Sequence, residues 1–219
     1  MEWSPFWLSL KVAASATVLS VLAGVPVAYV LARRRVLGRA AWEGVTLLPL
    51  VLPPTVLGYY LLVALGRRSP LGRAIHAVTG GYVVFTWQGA ALAACLVSIP
   101  LLVRTAQAAF AAVEEELLAA ARTMGASELQ AFWHVLLPLS RRGLMAGIGL
   151  AFARALGDFG ATLMVAGDIP GVTRTMPLAV YDAVYAGDEH TALVFVLLLS
   201  GLCIIFALGA SYFTPRHEA

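Results

Sequence analysis

Arg154 and Asp158 are the residues of this chain whose types and spacing could do chemistry. They stand four residues apart in the stretch "AFARALGDFGA", where most neighbours are apolar. On a helix this spacing places both side chains on one face, and ionisable groups inside an apolar segment are candidates for function. Two interpretations stay open. In the first, the two charges form an ion pair that only fixes packing. In the second, the arginine offers positive potential to a passing dianion while the aspartate holds the arginine in place.

No residue set for catalysis accompanies this pair. The sequence contains no paired carboxylates, no nucleophile next to a base and no phosphate-binding loop. Lys11 is the only lysine, and Leu10 rather than glycine precedes it, so the G-x-x-x-x-G-K-[ST] pattern is absent. The four histidines lack the spacing of metal ligands, and Cys95 and Cys203 lie in apolar segments, where thiols behave as small hydrophobes. We therefore expect no enzyme activity, no metal site and no cofactor bound by this chain.

The elements that must position the charged pair are membrane helices. Of the 219 residues 60% are hydrophobic and only 12% are charged, against about 25% charged in soluble domains, and the mean hydropathy is +0.84. Apolar segments of about 20 residues are membrane spans. Five such segments run over 8–32, 45–65, 88–109, 143–166 and 191–212. We predict one all-α integral membrane domain over 8–212 and a short cytoplasmic tail over 213–219. The first segment is too long for a removable signal peptide and lacks a small-residue cleavage site.

The second segment contains three prolines, Pro49, Pro53 and Pro54. Each removes a helical hydrogen-bond donor, so this helix must kink or break. Broken backbone at membrane depth is tolerated only where protein buries it or where it lines a wet cavity. Pro53 and Pro54 therefore join Arg154 and Asp158 as candidates for a translocation path, with a harmless kink as the alternative.

The distribution of arginine predicts the orientation in the membrane, because cytoplasmic loops carry the excess of basic residues. With five spans and an external N-terminus, nine arginines lie inside and four outside. The nine are Arg33, Arg34, Arg35, Arg39, Arg104, Arg122, Arg141, Arg142 and Arg216, and the four are Arg67, Arg68, Arg73 and Arg174. We expect the N-terminus outside and the C-terminus in the cytoplasm.

A polar stretch over 114–138 interrupts the apolar segments. "EEELLAAARTM" consists of good helix formers with acids in the first turn, and Gly125 follows where a helix C-terminus favours glycine. Ser127 then starts a second helix, with Gln130 completing a capping box. In that helix Pro138 is expected at the end. Its apolar residues recur at helical spacing and predict one apolar stripe, formed by Leu129, Phe132, Trp133, Leu136 and Leu137.

Two interpretations of this helix-turn-helix fit its composition. It is too polar to span a membrane and too well capped for a disordered loop. It could lie on the lipid surface as an interfacial amphipathic helix. It could instead be a lever that docks in a groove of a partner protein and is anchored to the membrane domain by its apolar stripe.

The stretch "AAARTMGASELQAFWHVLLPL" resembles the coupling motif of ABC-importer permeases, E-A-A-x3-G-x9-I-x-L-P. The matching positions are Ala120, Ala121, Gly125, Val135, Leu137 and Pro138. Ala119 stands where the motif has glutamate, and Glu116, one turn earlier, is a possible substitute. The resemblance to the molybdate-type permeases extends over almost the whole chain, through "WLSLKVA", "LPLVLPPTVLGYYLLVALGRR" and "AFARALGDFGATLMVAGDIPGVTRTMPLAVY". The "LGEFGA" of that subfamily is "LGDFGA" here.

This resemblance implies a type I ABC-importer permease fold of about five spans, in a bacterial inner membrane. It implies pairing with a second copy, two ATPase subunits that use ATP on the cytoplasmic side, and an extracytoplasmic oxyanion-binding protein. The resemblance implies a cytoplasmic coupling loop over 114–138, with Ser127 as the cap of its second helix. The positions implied to contact the ATPase are Glu116, Ala119, Ala120, Ala121, Gly125, Ser127, Val135, Leu137 and Pro138. Membrane lipid surrounds such a subunit, and no nucleic-acid partner is expected.

The substrate implied is molybdate, and tungstate, sulfate and thiosulfate stay open because they are similar in size and charge. A stand-alone secondary transporter or channel would need no coupling loop, and inverted repeats would support it; the sequence shows none. A membrane assembly scaffold would need no broken helices.

Overall fold

A computed structural model describes residues 2–33 and 37–213, and within those ranges every regular element is helical. The arginines at 34 and 35 and the tail beyond residue 213, with Arg216, lie outside the described residues. The elements, in chain order, are α1 (Ser4–Arg33), α2 (Arg39–Val51), α3 (Pro54–Leu65), α4 (Pro70–Thr79), α5 (Trp87–Ala111), α6 (Glu115–Thr123), α7 (Glu128–Ala131), a π-helical segment (Phe132–Leu136), α8 (Leu137–Leu156), α9 (Gly160–Ala166), α10 (Met176–Tyr185) and α11 (Glu189–Phe213).

Four continuous helices of the described chain are long and apolar enough to cross a membrane. They are Ser4–Arg33, Trp87–Ala111, Glu128–Leu156 and Glu189–Tyr212. A fifth candidate is the pair α2 and α3, which meets at a bend of 107°. The predicted break of the second segment is therefore confirmed. It falls at Leu52 and Pro53, where extended backbone separates the two helices.

The fourth predicted segment is wrong in its bounds. The helix begins well before residue 143, at Glu128, and runs through the π-helical segment to Leu156. It then breaks at residues 157–159, and α9 starts at Gly160. The segment between α3 and α5 also contains structure that the hydropathy did not predict, the short helix α4. Ser69 caps it by accepting a hydrogen bond from the Gly72 N–H at 2.7 Å.

Helix α5 lies at the centre of the helix bundle and packs against α1, α8, α9, α2 and α3. Small residues let membrane helices approach closely, and a Cβ built on Gly24 of α1 would lie 3.2 Å from the side chain of Val103 in α5. The hydroxyl groups of Ser20 and Ser98 meet across the same interface at 3.3 Å. Helices α1 and α5 are therefore closely packed against each other in the core.

The two ends of the bundle differ in the segments that they bring together. At one end the Ser9 hydroxyl accepts a hydrogen bond from the Met176 N–H at 2.7 Å, and the Lys11 ammonium lies 3.7 Å from the centre of the Trp87 ring. At the opposite end of α1, Arg33 contacts the segment between α5 and α6. The helix-turn-helix therefore lies at the end of the bundle away from the N-terminus.

Helix α2 has no buried residue. Its exposed large side chains include Trp42, Val45, Leu48 and Val51. An apolar helix of this kind needs cover from lipid or from another protein chain.

Candidate functional site

The turn of the helix-turn-helix is a Schellman motif, which is the local geometry that the sequence predicts around Gly125. The Ala126 N–H donates to the carbonyl of Ala121 at 3.0 Å, and the Gly125 N–H donates to that of Arg122 at 2.9 Å. Gly125 has a φ of 91°. Side chains other than glycine rarely adopt this region, so the residue at 125 sets the direction of the second arm.

The second arm starts with the capping box that Ser127 and Gln130 predict. The Ser127 Oγ accepts a hydrogen bond from the Gln130 N–H at 3.3 Å, and the Gln130 Oε1 accepts one from the Ser127 N–H at 2.8 Å. Two N–H groups that the helix start leaves without partners are satisfied in this way. Both arms therefore end in defined caps on either side of two linking residues.

The second arm does not end at Pro138, contrary to the sequence prediction. Proline cannot donate to the carbonyl four residues earlier, and the turn before it widens into the π-helical segment Phe132–Leu136. There the Leu137 N–H donates to the carbonyl of Phe132. The hydrogen bond that Pro138 cannot donate is therefore missing at the start of α8, and the chain continues as a helix past Pro138. The second arm and the fourth span are thus one rod.

The predicted single apolar stripe of the second arm is split between two environments. Leu136 is fully buried, together with Ala131, in a cluster that includes Leu31 and Phe110. Leu129 and Trp133 are instead more than half exposed. They face an apolar groove beside α1. Phe132 and Leu137 line the same groove, so the stripe runs from the buried cluster to an open apolar surface.

A chain of ion pairs joins α1 to both arms of the helix-turn-helix. Arg33 donates to the carboxylate of Glu115 at 3.0 Å, and Arg122 donates to the other oxygen of that carboxylate at 2.8 Å. Arg122 also reaches across the turn to Glu128 at 2.6 Å. The hydrogen bond from Arg122 lowers the pKa of Glu115, and the positive charges of Arg122 and Arg33 lower it further, while desolvation opposes part of this effect. Glu115 and Glu128 in turn raise the pKa of Arg122.

The remaining coupling residues that the resemblance implies divide by the side of the hairpin on which they lie. Ala121 is buried against the membrane domain, and Val135 and Leu137 are half-buried. Exposed are Glu116, Ala119, Ala120, Ser127 and Pro138. Among the described residues the side chain of Glu116 has no hydrogen-bond or ion-pair partner. Between the two arms Met124 is 83% exposed.

Arg154 and Asp158 are brought together, but not on one face of a helix. Arg154 lies in the last turn of α8, whereas Asp158 lies in the break before α9. The Arg154 Nη1 atom lies 3.8 Å from the Asp158 Oδ1 atom, with the side chain of Asp158 1% exposed and that of Arg154 32% exposed. The second carboxylate oxygen of Asp158 accepts hydrogen bonds from Thr162, from N–H at 3.0 Å and from hydroxyl at 2.8 Å. Asp158 therefore caps α9 as well as facing Arg154.

The two helix breaks of the chain pack against each other, which the sequence analysis did not predict. A Cβ on Gly160 would lie 3.1 Å from the Thr55 side chain and 3.3 Å from that of Pro54. One turn further on, a Cβ on Gly58 would lie 2.9 Å from the backbone of Ala161. Helices α3 and α9 therefore start side by side and run in the same direction. Pro54 thus lies where the two breaks meet, next to Pro53. Gly58 and Gly160 were the sequence signal from which this close contact could have been predicted.

No group of three or more histidine, cysteine, aspartate or glutamate side chains lies close enough to hold a metal ion within residues 2–33 and 37–213.

The family assignment follows from comparison of the sequence with known families. Residues 20–218 match the model of the binding-protein-dependent transport system inner membrane component. The chain belongs to this family. Members of this transport family are permease components and not themselves catalytic.

Relatives of this inner-membrane transport component cover nearly the whole chain. It is 43% identical over 205 residues to the molybdenum transport system permease protein ModB of Escherichia coli (strain K12), covering 93% of this chain and 86% of that protein. It is 40% identical over 207 residues to the putative molybdenum transport system permease protein YvgM of Bacillus subtilis (strain 168), covering 93% and 91%.

Solved structures share the fold of this inner-membrane transport component at low sequence identity. A chain of the MetNI methionine ABC transporter, in an inward-facing conformation, has a TM-score of 0.68 at 17% identity, covering 96% of this chain and 95% of that chain. A chain of an amino acid ABC transporter has a TM-score of 0.60 at 16% identity. The predicted all-α fold of a type I ABC-importer permease is confirmed.

Proposed function

We propose that this protein is the permease subunit of an ATP-driven importer and forms the membrane path for molybdate. The relatives named as molybdenum transport permeases, at about 40% identity over nine-tenths of the chain, support the substrate. The structural observation that carries the mechanism is the capped helix-turn-helix, whose second arm continues as a membrane helix. A push on this hairpin therefore reaches the membrane domain through one rigid rod.

In this proposal a separate ATPase supplies the push, because the chain has no P-loop lysine pattern. The ATPase contacts the face of α6 that points away from Leu118 and Ala121. Glu116, Ala119 and Ala120 lie on that face. Since Glu115 is already paired with two arginines, Glu116 is the carboxylate of α6 available to a basic residue of the ATPase. It thereby takes the role of the glutamate that Ala119 replaces in the motif.

The path for the anion runs past the place where the two helix breaks meet. Irregular backbone at membrane depth is tolerated where it lines a cavity, and the break at Pro53 leaves the positive end of the α3 dipole at this level. Arg154 adds a full positive charge and is partly exposed. Asp158 accepts hydrogen bonds from Thr162 at the start of α9. Its charge also keeps the Arg154 side chain in its observed orientation.

Two copies of the chain enclose this path in the proposed assembly. The unburied faces of α2 need a partner or lipid, and a second copy covers part of them. Two ATPase subunits bind the two hairpins on the cytoplasmic side, and an extracytoplasmic binding protein delivers the anion. The N-terminus is outside and the C-terminus in the cytoplasm of a bacterial inner membrane, in agreement with the arginine distribution.

Uptake by proteoliposomes that contain the permease, its ATPase and its binding protein tests this function. We expect radiolabelled molybdate to accumulate only with ATP inside and with all three components present. Unlabelled tungstate, sulfate and thiosulfate, added in excess, then rank the related oxyanions. Accumulation without the ATPase would identify a secondary transporter. Uptake that excess sulfate abolishes and excess molybdate leaves unchanged would refute the proposed substrate.

A further inference from the structure

Arg33, the last residue of α1, holds three segments of the chain together. Its side chain is only 11% exposed. One Nη atom donates to the backbone carbonyls of Phe110, in the last turn of α5, and of Val113, in the link to α6. The other Nη atom donates to Glu115 at the start of α6. A positive charge is favourable at the C-terminal end of α5, where the helix dipole is negative.

Arg122 continues this chain of charges across the turn of the hairpin. It lies near the end of α6 and binds Glu115 in its own arm and Glu128 in the second arm. Its contact with Glu128 is two-pronged, with Nε at 2.6 Å and Nη2 at 3.3 Å from the two carboxylate oxygens. Two parallel hydrogen bonds from one planar guanidinium fix an orientation as well as a distance.

The apolar contacts of α6 do not fix that orientation. The buried residues of this nine-residue helix are Leu118 and Ala121. Apolar burial is not directional, and Gly125 in the turn tolerates a wide range of backbone angles. The second arm continues into α8, but the first arm, α6, could pivot against it when a partner pushes, if only these apolar contacts held it. The series Arg33, Glu115, Arg122 and Glu128 supplies the missing directional restraint.

We infer that Arg33 and Arg122 are positioning residues for the coupling of ATP hydrolysis to transport. They hold the first arm, α6, at a fixed angle to α1, α5 and the second arm, so that movement of the ATPase is passed to the membrane helices and not lost in a pivot of α6. This inference rests on the proposed function. It adds a role for two residues outside the coupling positions that the sequence resemblance implies.

The decisive variant is Arg122→Gln, tested in the complete reconstituted complex of permease, ATPase and binding protein. Exposed ion pairs contribute little to folding, so the variant should insert and bind its ATPase in normal amounts. Molybdate uptake and ATP hydrolysis are measured in the same proteoliposomes. We expect uptake per ATP hydrolysed to fall about fivefold, which corresponds to about 1 kcal/mol of lost coupling, while ATP hydrolysis continues.

Two further variants separate positioning from a general loss of charge. Arg142→Gln removes an exposed arginine that has no hydrogen-bond or ion-pair partner among the described residues, and it should couple like the wild type. Arg122→Lys keeps the charge but loses the planar fork, and it should recover only part of the ratio. The exchange of Arg122→Glu with Glu128→Arg restores the contact across the turn and should recover part of it as well.

Wild-type coupling in Arg122→Gln would overturn this inference and leave the proposed function intact. Uptake that falls only in proportion to the amount of permease or bound ATPase would also overturn it, because the ion pairs would then serve folding or assembly. An equal loss in Arg142→Gln would attribute the effect to net charge. Absence of ATP-dependent uptake in the wild-type complex would instead refute the proposed function itself.

Discussion

Replacement of Gly125 tests whether the direction of the second arm controls binding of the ATPase. The residue has a φ of 91°, and a Cβ built there meets no atom within 4 Å. A side chain at 125 therefore has space, and its cost is confined to the backbone conformation. For an L-residue in a left-handed conformation that cost is about 1–2 kcal/mol. It is relieved if the turn changes its angles and re-aims the second arm.

The expected effect on partner binding follows from this free energy. A difference of about 1.4 kcal/mol is a factor of ten in an equilibrium constant. If the ATPase binds only the observed turn, Gly125→Ala should therefore weaken its affinity about five- to thirtyfold. Gly125→Val should add the restriction of a branched side chain and lose transport. Gly125→Asn should be milder, because asparagine adopts the left-handed conformation more readily.

The assay is the affinity of purified permease for its ATPase, together with the amount of permease in the membrane. Gly44→Ala is the matched control, since a Cβ at Gly44 also meets no atom within 4 Å but the residue lies within α2. That substitution should leave ATPase affinity unchanged. Normal affinity and normal uptake in Gly125→Ala and Gly125→Val would refute the reasoning. Loss of both variants from the membrane would show that the turn serves folding and not coupling.

Three further predictions concern the caps and charges. Ser127→Ala removes half of the capping box and should cost the second arm about 1 kcal/mol, seen as faster amide hydrogen exchange over residues 128–131 with the spans unchanged. Arg154→Met leaves the buried carboxylate of Asp158 without its cation, and it should lower thermal stability more than the double variant Arg154→Met with Asp158→Asn, which keeps an acceptor for Thr162. Equal stability of the two variants would argue against an ion pair. A stable double variant without uptake would favour the role in the translocation path. The hydrogen bond from Arg122 lowers the pKa of Glu115, so its stabilisation is present above the ordinary glutamate pKa and is lost as the pH falls through the lower folded value. Protection of the α6 amides, measured as exchange relative to the intrinsic rate at each pH, should fall in that acidic window, and Glu115→Gln should remove the dependence.

Features that depend on neighbouring residues were predictable from the sequence. The cap at Ser127, the Schellman turn at Gly125 and the broken helix at Pro53 all arise from contacts within a few residues of the chain. The presence of four to five candidate spans follows from the length of the apolar segments, because a bilayer demands about 20 residues to cross it. The resemblance of the motif around Gly125 identified the family in the same way.

The arrangement of the candidate site was decided by the tertiary structure. Its contacts join residues far apart in the sequence: Arg33 and Glu115 are 82 residues apart, and Thr55 and Gly160 are about a hundred apart. No periodicity in the sequence relates the members of either pair. Pro138 reads locally as a helix end, yet packing of Leu136 in the core keeps the chain helical through a wider turn. Asp158 reads as part of a helix, yet the meeting of α9 with α3 places it in a break. At Pro138 long-range packing outweighs a local preference of about 3 kcal/mol against an interior helix position.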